Sequence, residues 1–243
     1  MPRAEPLVLA IESATARLSA ALVRGDEILA LRTSETPGHH AERILPLLDA
    51  LLAEAACTVD GVDAIGVSIG PGSFTSLRVG LATAKGLALG AARPLVAVPT
   101  LEALAFGSLA PGERDPVAAL LDARRGEMYA AVFVPEAGGL RAAVRDGLFT
   151  PAELAPRLPP RCRLVGEGAL LFGEELRRRA GARALRLEAH PPERTAPDAA
   201  SVGRLAVARL RRGEVAGEDL APRYVRRAQA EVTRTAEAVE EPS

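Results

Sequence analysis

Cysteine is scarce in this 243-residue chain: Cys57 and Cys162 stand far apart with no partner pattern around either. That excludes a disulfide framework and a cysteine-based zinc site. Charge of one sign is not in excess either. The formal net charge is -1, so nothing in the bulk composition draws the chain to nucleic acid or a membrane surface. The first 150 residues carry a small acidic excess and the remainder a small basic one, too little to mark a function. No apolar stretch reaches the length of about 18 residues that argues for a bilayer crossing. No cationic segment followed by a long apolar run opens the chain, so a cytoplasmic protein is expected. Lys85 is the sole lysine among abundant Arg and Ala, a bias that speaks of nucleotide composition or thermal adaptation before it speaks of function.

What is present is concentrated between Val67 and Gly90, VSIGPGSFTSLRVGLATAKGLALG. Asp63 to Ser68 is a short apolar run with β-branched residues, which predicts a strand inside a covered sheet. Gly70, Pro71 and Gly72 end it, because proline cannot donate to a ladder and glycine admits positive φ. Ser73, Thr75 and Ser76 are each able to cap the helix that follows. That helix carries small residues four apart, at Ser76, Gly80, Ala84 and Ala88, with Gly86 and Gly90 as a second row. Glycine costs about 1 kcal/mol against alanine inside a helix, so the row predicts a face where another backbone lies close. A phosphate-binding loop does not fit, since GPGSFTSLR matches neither GxxxxGK[ST] nor GxGxxG and Lys85 sits deep in the helix.

The stretch from Gly70 to Arg78 resembles the GPGSFTGLR signature of the TsaB (YeaZ) family. LVLAIESATARLSAALV resembles that family's opening hairpin, HHAERILPLLDALLAEA its first helix, and LLDARRGEMYAAVF its second-lobe hairpin, with VGEGALLF fitting further on. Ser76 departs from the glycine usual in the signature. The resemblance implies an α/β chain with the two-lobed actin-like ATPase (ribonuclease H-like) fold, mixed sheets flanked by helices. It implies lobes at 1–110 and 111–221, with a polar tail, 222–243, frayed or docked on the first lobe.

The actin-like superfamily cradles phosphate in its first hairpin with an Asp and a glycine-rich turn. Here the turn is Glu12-Ser-Ala-Thr-Ala16, with no glycine. Side chains occupy the space where backbone would approach phosphate, which argues against ATP binding by the chain alone and leaves nucleotide only at an interface. His39 and His40 open the first helix after Pro37 and Gly38. Adjacent helical positions point about 100° apart, so the pair is not a metal site and both rings are expected to be solvated. Ile44, Leu45, Leu47, Leu48, Leu51, Leu52 and Ala55 then form an apolar face wider than one core stripe. Its flank is either ordinary core or a surface held for a partner.

Further on, Pro94 to Val98 reads as a strand and Thr100 as the cap of the next helix. A boundary is expected at Gly107 to Asp115. Val117–Leu121 and Met128–Val134 read as a hairpin around Asp122-Ala-Arg-Arg-Gly126, whose two arginines either meet phosphate or RNA or form a solvated turn. Residues 151–160 read as irregular, Gly168–Ala180 as a helix ending at Gly181, and Pro197 to Leu210 as the last helix.

The resemblance implies a non-catalytic scaffold in tRNA modification. With the paralogue TsaD and the ATPase TsaE, it would support transfer of the threonylcarbamoyl group to the adenosine beside the anticodon, in tRNAs reading codons that begin with A. The partner interface would lie on Leu45, Leu48, Leu52, Ser76, Leu77, Gly80, Leu81 and Ala84, next to the signature turn Gly70, Pro71, Gly72, Ser73, Phe74 and Thr75. The chain alone would be a homodimer, with no catalytic residue, cofactor or metal, touching tRNA only through the complex. Two other readings stay open: a peptidase of the glycoprotease-like group, using Ser13, Ser68, Ser73 or Ser76 with one of three histidines, or a small-molecule kinase on the same fold.

Overall fold

The computed structural model describes residues 5–34, 39–137, 139–181, 185–187, 196–217 and 219–225. Three strands open the chain: β1 (Leu7–Glu12), β2 (Leu18–Arg24) and β3 (Glu27–Ser34). They are antiparallel, with Leu9 opposite Leu22 and Ala21 opposite Leu31. After helix α1 (His40–Glu54) come β4 (Ala64–Ser68), helix α2 (Phe74–Gly90) and β5 (Leu95–Val98). β4 pairs parallel with β1, and β5 parallel with β4, giving the order β3-β2-β1-β4-β5. Every residue of β1 and β4 is buried, as continuous apolar runs require when a sheet is covered on both faces.

Helix α3 (Thr100–Gly107) leads to a second sheet built from β6 (Val117–Asp122), β7 (Met128–Glu136), β8 (Gly139–Phe149), β9 (Arg163–Val165) and β10 (Arg186–Leu187), in the order β10-β9-β6-β7-β8. Helix α5 (Glu167–Ala180) covers one face, burying Ala169 and Leu176 against Leu120, Met128 and Leu164. Leu101 and Leu104 of α3 cover the other. Residues 151–160 are not irregular throughout. Pro151–Leu154 is a short helix, α4, closed by a capping box in which Thr150 and Glu153 bond reciprocally.

The lobe boundaries at 110 and 221 need correction. The last helix, α6 (Ala199–Arg211), returns to the first sheet and packs on β1, β2 and β4. Its inner face is made of Ala199, Ala200, Val202 and Ala206, which meet Val8, Ala10, Ala21 and Ala64. Small residues on both sides bring the helix close: a Cβ on Gly203 would stand 2.6 Å from Val23 Cγ2. The first lobe is therefore discontinuous in sequence, α1 and α2 covering one face of its sheet and α6 the other. α3, placed in the first lobe by the boundary at 110, buries its leucines on the second. Beyond α6 the chain follows the β5 edge, where Ala216 N–H donates to Leu95 O at 2.8 Å. The tail from residue 226 lies outside the described residues, as do Pro37, Gly38 and His190.

Candidate functional site

The Gly-Pro-Gly turn leaves β4 with Gly70 at φ 110°, a conformation that favours glycine. Thr100 holds it from the side: Gly70 N–H donates to Thr100 Oγ1 at 3.0 Å, and Thr100 N–H donates to Gly70 O at 2.9 Å. The expected cap of α3 is thus a staple for the signature turn, and Pro99 occupies the cap position. The capping expected of Ser73, Thr75 and Ser76 is also corrected. Ser73 stands at the cap position of α2 but its side chain makes no capping bond. The Ser76 hydroxyl lies 3.0 Å from the Ser73 hydroxyl instead.

The Glu12–Ala16 turn faces this one. Two of its carbonyls bond to protein: Ser73 N–H donates to Ala14 O at 2.7 Å, and His40 Nε2 lies 3.0 Å from Thr15 O. Ser13 Oγ donates to Ser76 O at 3.1 Å. Gly72 is where the two turns touch, since a Cβ there would overlap Ala14 O and stand 2.8 Å from Ala14 Cβ. His40 is therefore buried and engaged, not solvated as expected, and burial lowers its pKa. Glu12 is fully buried behind the turn. Its Oε1 accepts from Ala14 N–H at 2.6 Å while Oε2 has no hydrogen-bond partner among the described residues, and burial pushes its carboxyl up to about 7.

The small-residue row of α2 points inward. Leu77, Gly80, Leu81, Ala84 and Ala88 are all buried. A Cβ on Gly80 would overlap Ser13 Oγ and stand 2.9 Å from Ser13 Cβ, so the backbone approached is this chain's own first hairpin. Leu48 and Leu52 are buried in the same core. Of the expected interface residues, Leu48, Leu52, Leu77, Gly80, Leu81 and Ala84 are thus buried in this chain's own core, which argues against them as a face for another chain. Leu45 remains 54% exposed and Ser76 half-buried.

Between the lobes lies a cleft of about 420 Å³. Thr15, Ser73 and Phe74 line it from the first lobe and Asp122, Arg124 and Glu167 from the second. Arg124 and Arg125 both have positive φ, 65° and 59°, in the tight turn between β6 and β7. Arg124 N–H donates to Asp122 Oδ1 at 2.8 Å, and its guanidinium pairs with Asp122 Oδ2 at 3.2 Å. Burial raises the pKa of Glu167 on the same wall. Arg223 and Tyr224 complete the rim. Nothing in the sequence singled out these two, because their role depends on where α6 sends the chain.

Among the described residues no group of three His, Cys, Asp or Glu side chains stands close enough to share a metal. His39 Nδ1 lies 3.3 Å from Glu42 Oε2 and His40 Nε2 lies 3.0 Å from Thr15 O, and among the described residues neither ring is hydrogen-bonded to Ser13, Ser68, Ser73 or Ser76.

Comparison with known proteins gives concordant results. The family profile described as TsaD, tRNA N6-adenosine threonylcarbamoyltransferase, matches residues 34–233. The tRNA threonylcarbamoyladenosine biosynthesis protein TsaB of Escherichia coli (strain K12) is 36% identical over 151 residues. That alignment takes in 62% of this chain and 63% of the relative, so the chain spans less than two thirds of that curated protein's length. YeaZ from Pseudomonas aeruginosa superposes with a TM-score of 0.78 at 30% identity, over 90% of this chain and 99% of that one. The ROK hexokinase of Thermus thermophilus, at 14% identity and a TM-score of 0.52 over 85% of this chain and all of that one, shares the fold alone.

Proposed function

Because the chain belongs to the TsaB (YeaZ) family, we propose that it is a non-catalytic scaffold in tRNA threonylcarbamoyladenosine biosynthesis. In this reading it binds a TsaD-type paralogue, which carries the chemistry, and works with a TsaE-type ATPase. tRNA is met through the assembled complex, and nucleotide only where subunits meet. Alone, the chain pairs with a second copy.

The observation that carries the reading is the filled turn at Glu12–Ala16. Backbone that would have to face phosphate is bonded to the start of α2 through Ala14 O and to the start of α1 through Thr15 O. The hairpin works as a pin for two helices. The positions those helices leave exposed include Leu45 with Ala41 and Pro46 on α1, and Thr75, Arg78 and Leu89 on α2. This outer face replaces the buried row as the proposed contact.

Reconstitution tests it. Purified chain is combined with the TsaD and TsaE proteins of the same organism, tRNA and threonylcarbamoyl-adenylate. Threonylcarbamoylation is expected to need all three proteins, and Leu45→Arg is expected to weaken association and transfer together while leaving the melting temperature unchanged. ATPase or peptidase turnover by the chain alone, abolished by Ser13→Ala, would overturn the scaffold reading.

A further inference from the structure

The residues just past Pro222 touch both lobes. Arg223 N–H donates to Ile69 O at 2.6 Å, at the end of β4 in the first lobe. The same residue's Nη2 lies 2.7 Å from Asp146 Oδ1, on β8 in the second lobe. Asp146 is only 12% exposed, and its other oxygen is buried with no partner among the described atoms. A carboxylate so placed is costly without its cation, so the bond is stronger than a surface ion pair. The Arg223 carbonyl lies tight against the signature turn, 2.7 Å from where a Gly70 Cβ would stand. Tyr224 continues the contact: its ring packs on Phe74 with centroids 4.7 Å apart, and its hydroxyl accepts from Arg78 Nε at 2.8 Å. Arg78 in turn lies over the Phe74 ring, 3.8 Å from its centroid.

We propose that Arg223 and Tyr224 form a strap that latches the two lobes together over the interlobe cleft. One residue bonds the backbone of the first lobe and the side chain of the second, so neither lobe can move away without breaking it. Tyr224 fixes the strap to the amino end of α2. Releasing the Arg223–Asp146 pair frees the wall formed by the Asp122–Tyr129 hairpin, while the Ile69 and Tyr224 contacts keep the strap on the signature turn; strap, hairpin and turn all contribute residues to the cleft. The latch belongs to the lone chain and does not rest on the scaffold reading. Its failure and the failure of TsaD binding are separate outcomes.

Hydrogen exchange of the full-length protein tests it. In Arg223→Glu, which sets two carboxylates against each other, amides of Ala123–Tyr129 are expected to exchange roughly tenfold faster or more. Amides of β1 and β4 are expected to stay protected, which shows that the variant is folded. Tyr224→Ala is expected to speed Gly70–Leu77 alone. Should Arg223→Glu fail to fold, Asp146→Asn, which removes the charge and keeps the shape, gives the same reading. Unchanged exchange in Ala123–Tyr129 in the folded variant would overturn the latch, because the strap would then hold α2 and not the second lobe.

Discussion

Gly80 offers the sharpest test of how the first lobe is built. The small-residue row of α2, read as a face for a partner helix, predicts that a larger side chain at Gly80 spares folding and harms association. The structure reverses that expectation. A Cβ at residue 80 would overlap Ser13 Oγ and stand 2.9 Å from Ser13 Cβ. Rotating the hydroxyl away relieves the first clash but breaks its bond to Ser76 O and leaves a buried hydroxyl unmatched. Ser13 Cβ is fixed to the backbone, so the second clash moves the helix or the hairpin. Overpacking of this kind costs about 1–3 kcal/mol, and losing the hydrogen bond about 1 kcal/mol more. Against this, alanine gains about 1 kcal/mol of helix propensity over glycine.

Gly80→Ala is thus expected to destabilise the fold by about 1–3 kcal/mol, and Gly80→Leu by more. For a chain of this size each kcal/mol lowers Tm by roughly 2–4 °C. The assay is thermal and denaturant unfolding of Gly80→Ala, Ser13→Gly and the double variant. Ser13→Gly removes both clashing atoms, so the double variant is expected to recover most of the loss, with a coupling energy above about 0.5 kcal/mol. A Gly80→Ala protein as stable as the parent, or a cycle without coupling, would refute the packing described here.

Other substitutions read other contacts. Gly86 lies in the same helix with nothing within 4 Å of an added Cβ, so Gly86→Ala is expected to raise stability by about 0.5–1 kcal/mol, measured by denaturant midpoint. Gly72→Ala is expected to cost about 1–3 kcal/mol, because its Cβ overlaps the carbonyl that accepts from Ser73 N–H; slower refolding without lower stability would contradict this. Burial holds Glu12 near 7, above the 4.5 of an ordinary carboxyl. Its contribution is therefore fully present below about pH 4.5 and is lost as pH rises through about 7, on the order of 3 kcal/mol. Glu12→Gln is expected to flatten that part of the stability profile, and an unchanged slope between pH 4.5 and 8 would sink the assignment.

Local patterns were legible where one element decides them. The apolar run at β4 and the glycine stop at Gly181 appear where the sequence puts them, because period and turn chemistry act over a few residues. α6 was legible as a helix but not as part of the first lobe. Its inner face of alanine and glycine is silent about which sheet it will cover, and only the complementary Val8, Ala10 and Ala21 decide it. The α2 row failed for the same reason. A stripe of small residues says that something lies close, and either a partner or the chain's own hairpin satisfies it. Arg223 and Asp146, 77 positions apart, carried no signal at all, since neither sits in a periodic segment that points at the other.

These misreadings share a physical cause that bears on function. The small residues of α2 and the glycine-free turn look like two separate features in sequence, a docking face and a lost phosphate cradle. In three dimensions they are one contact. Gly80 and Gly72 admit Ser13 and Ala14, and the turn uses a further carbonyl, at Thr15, to anchor His40 at the start of α1. In the scaffold reading proposed above, the contacts that fill the turn are the ones that fix the relative position of α1 and α2. A hairpin free to wrap a nucleotide would leave those helix starts without their ties. A scaffold needs the opposite: two helices held so that their outer face is already formed when a partner arrives, since ordering it on binding would weaken the complex. The turn's occupation by protein is therefore coupled to the rigidity of the surface proposed for association.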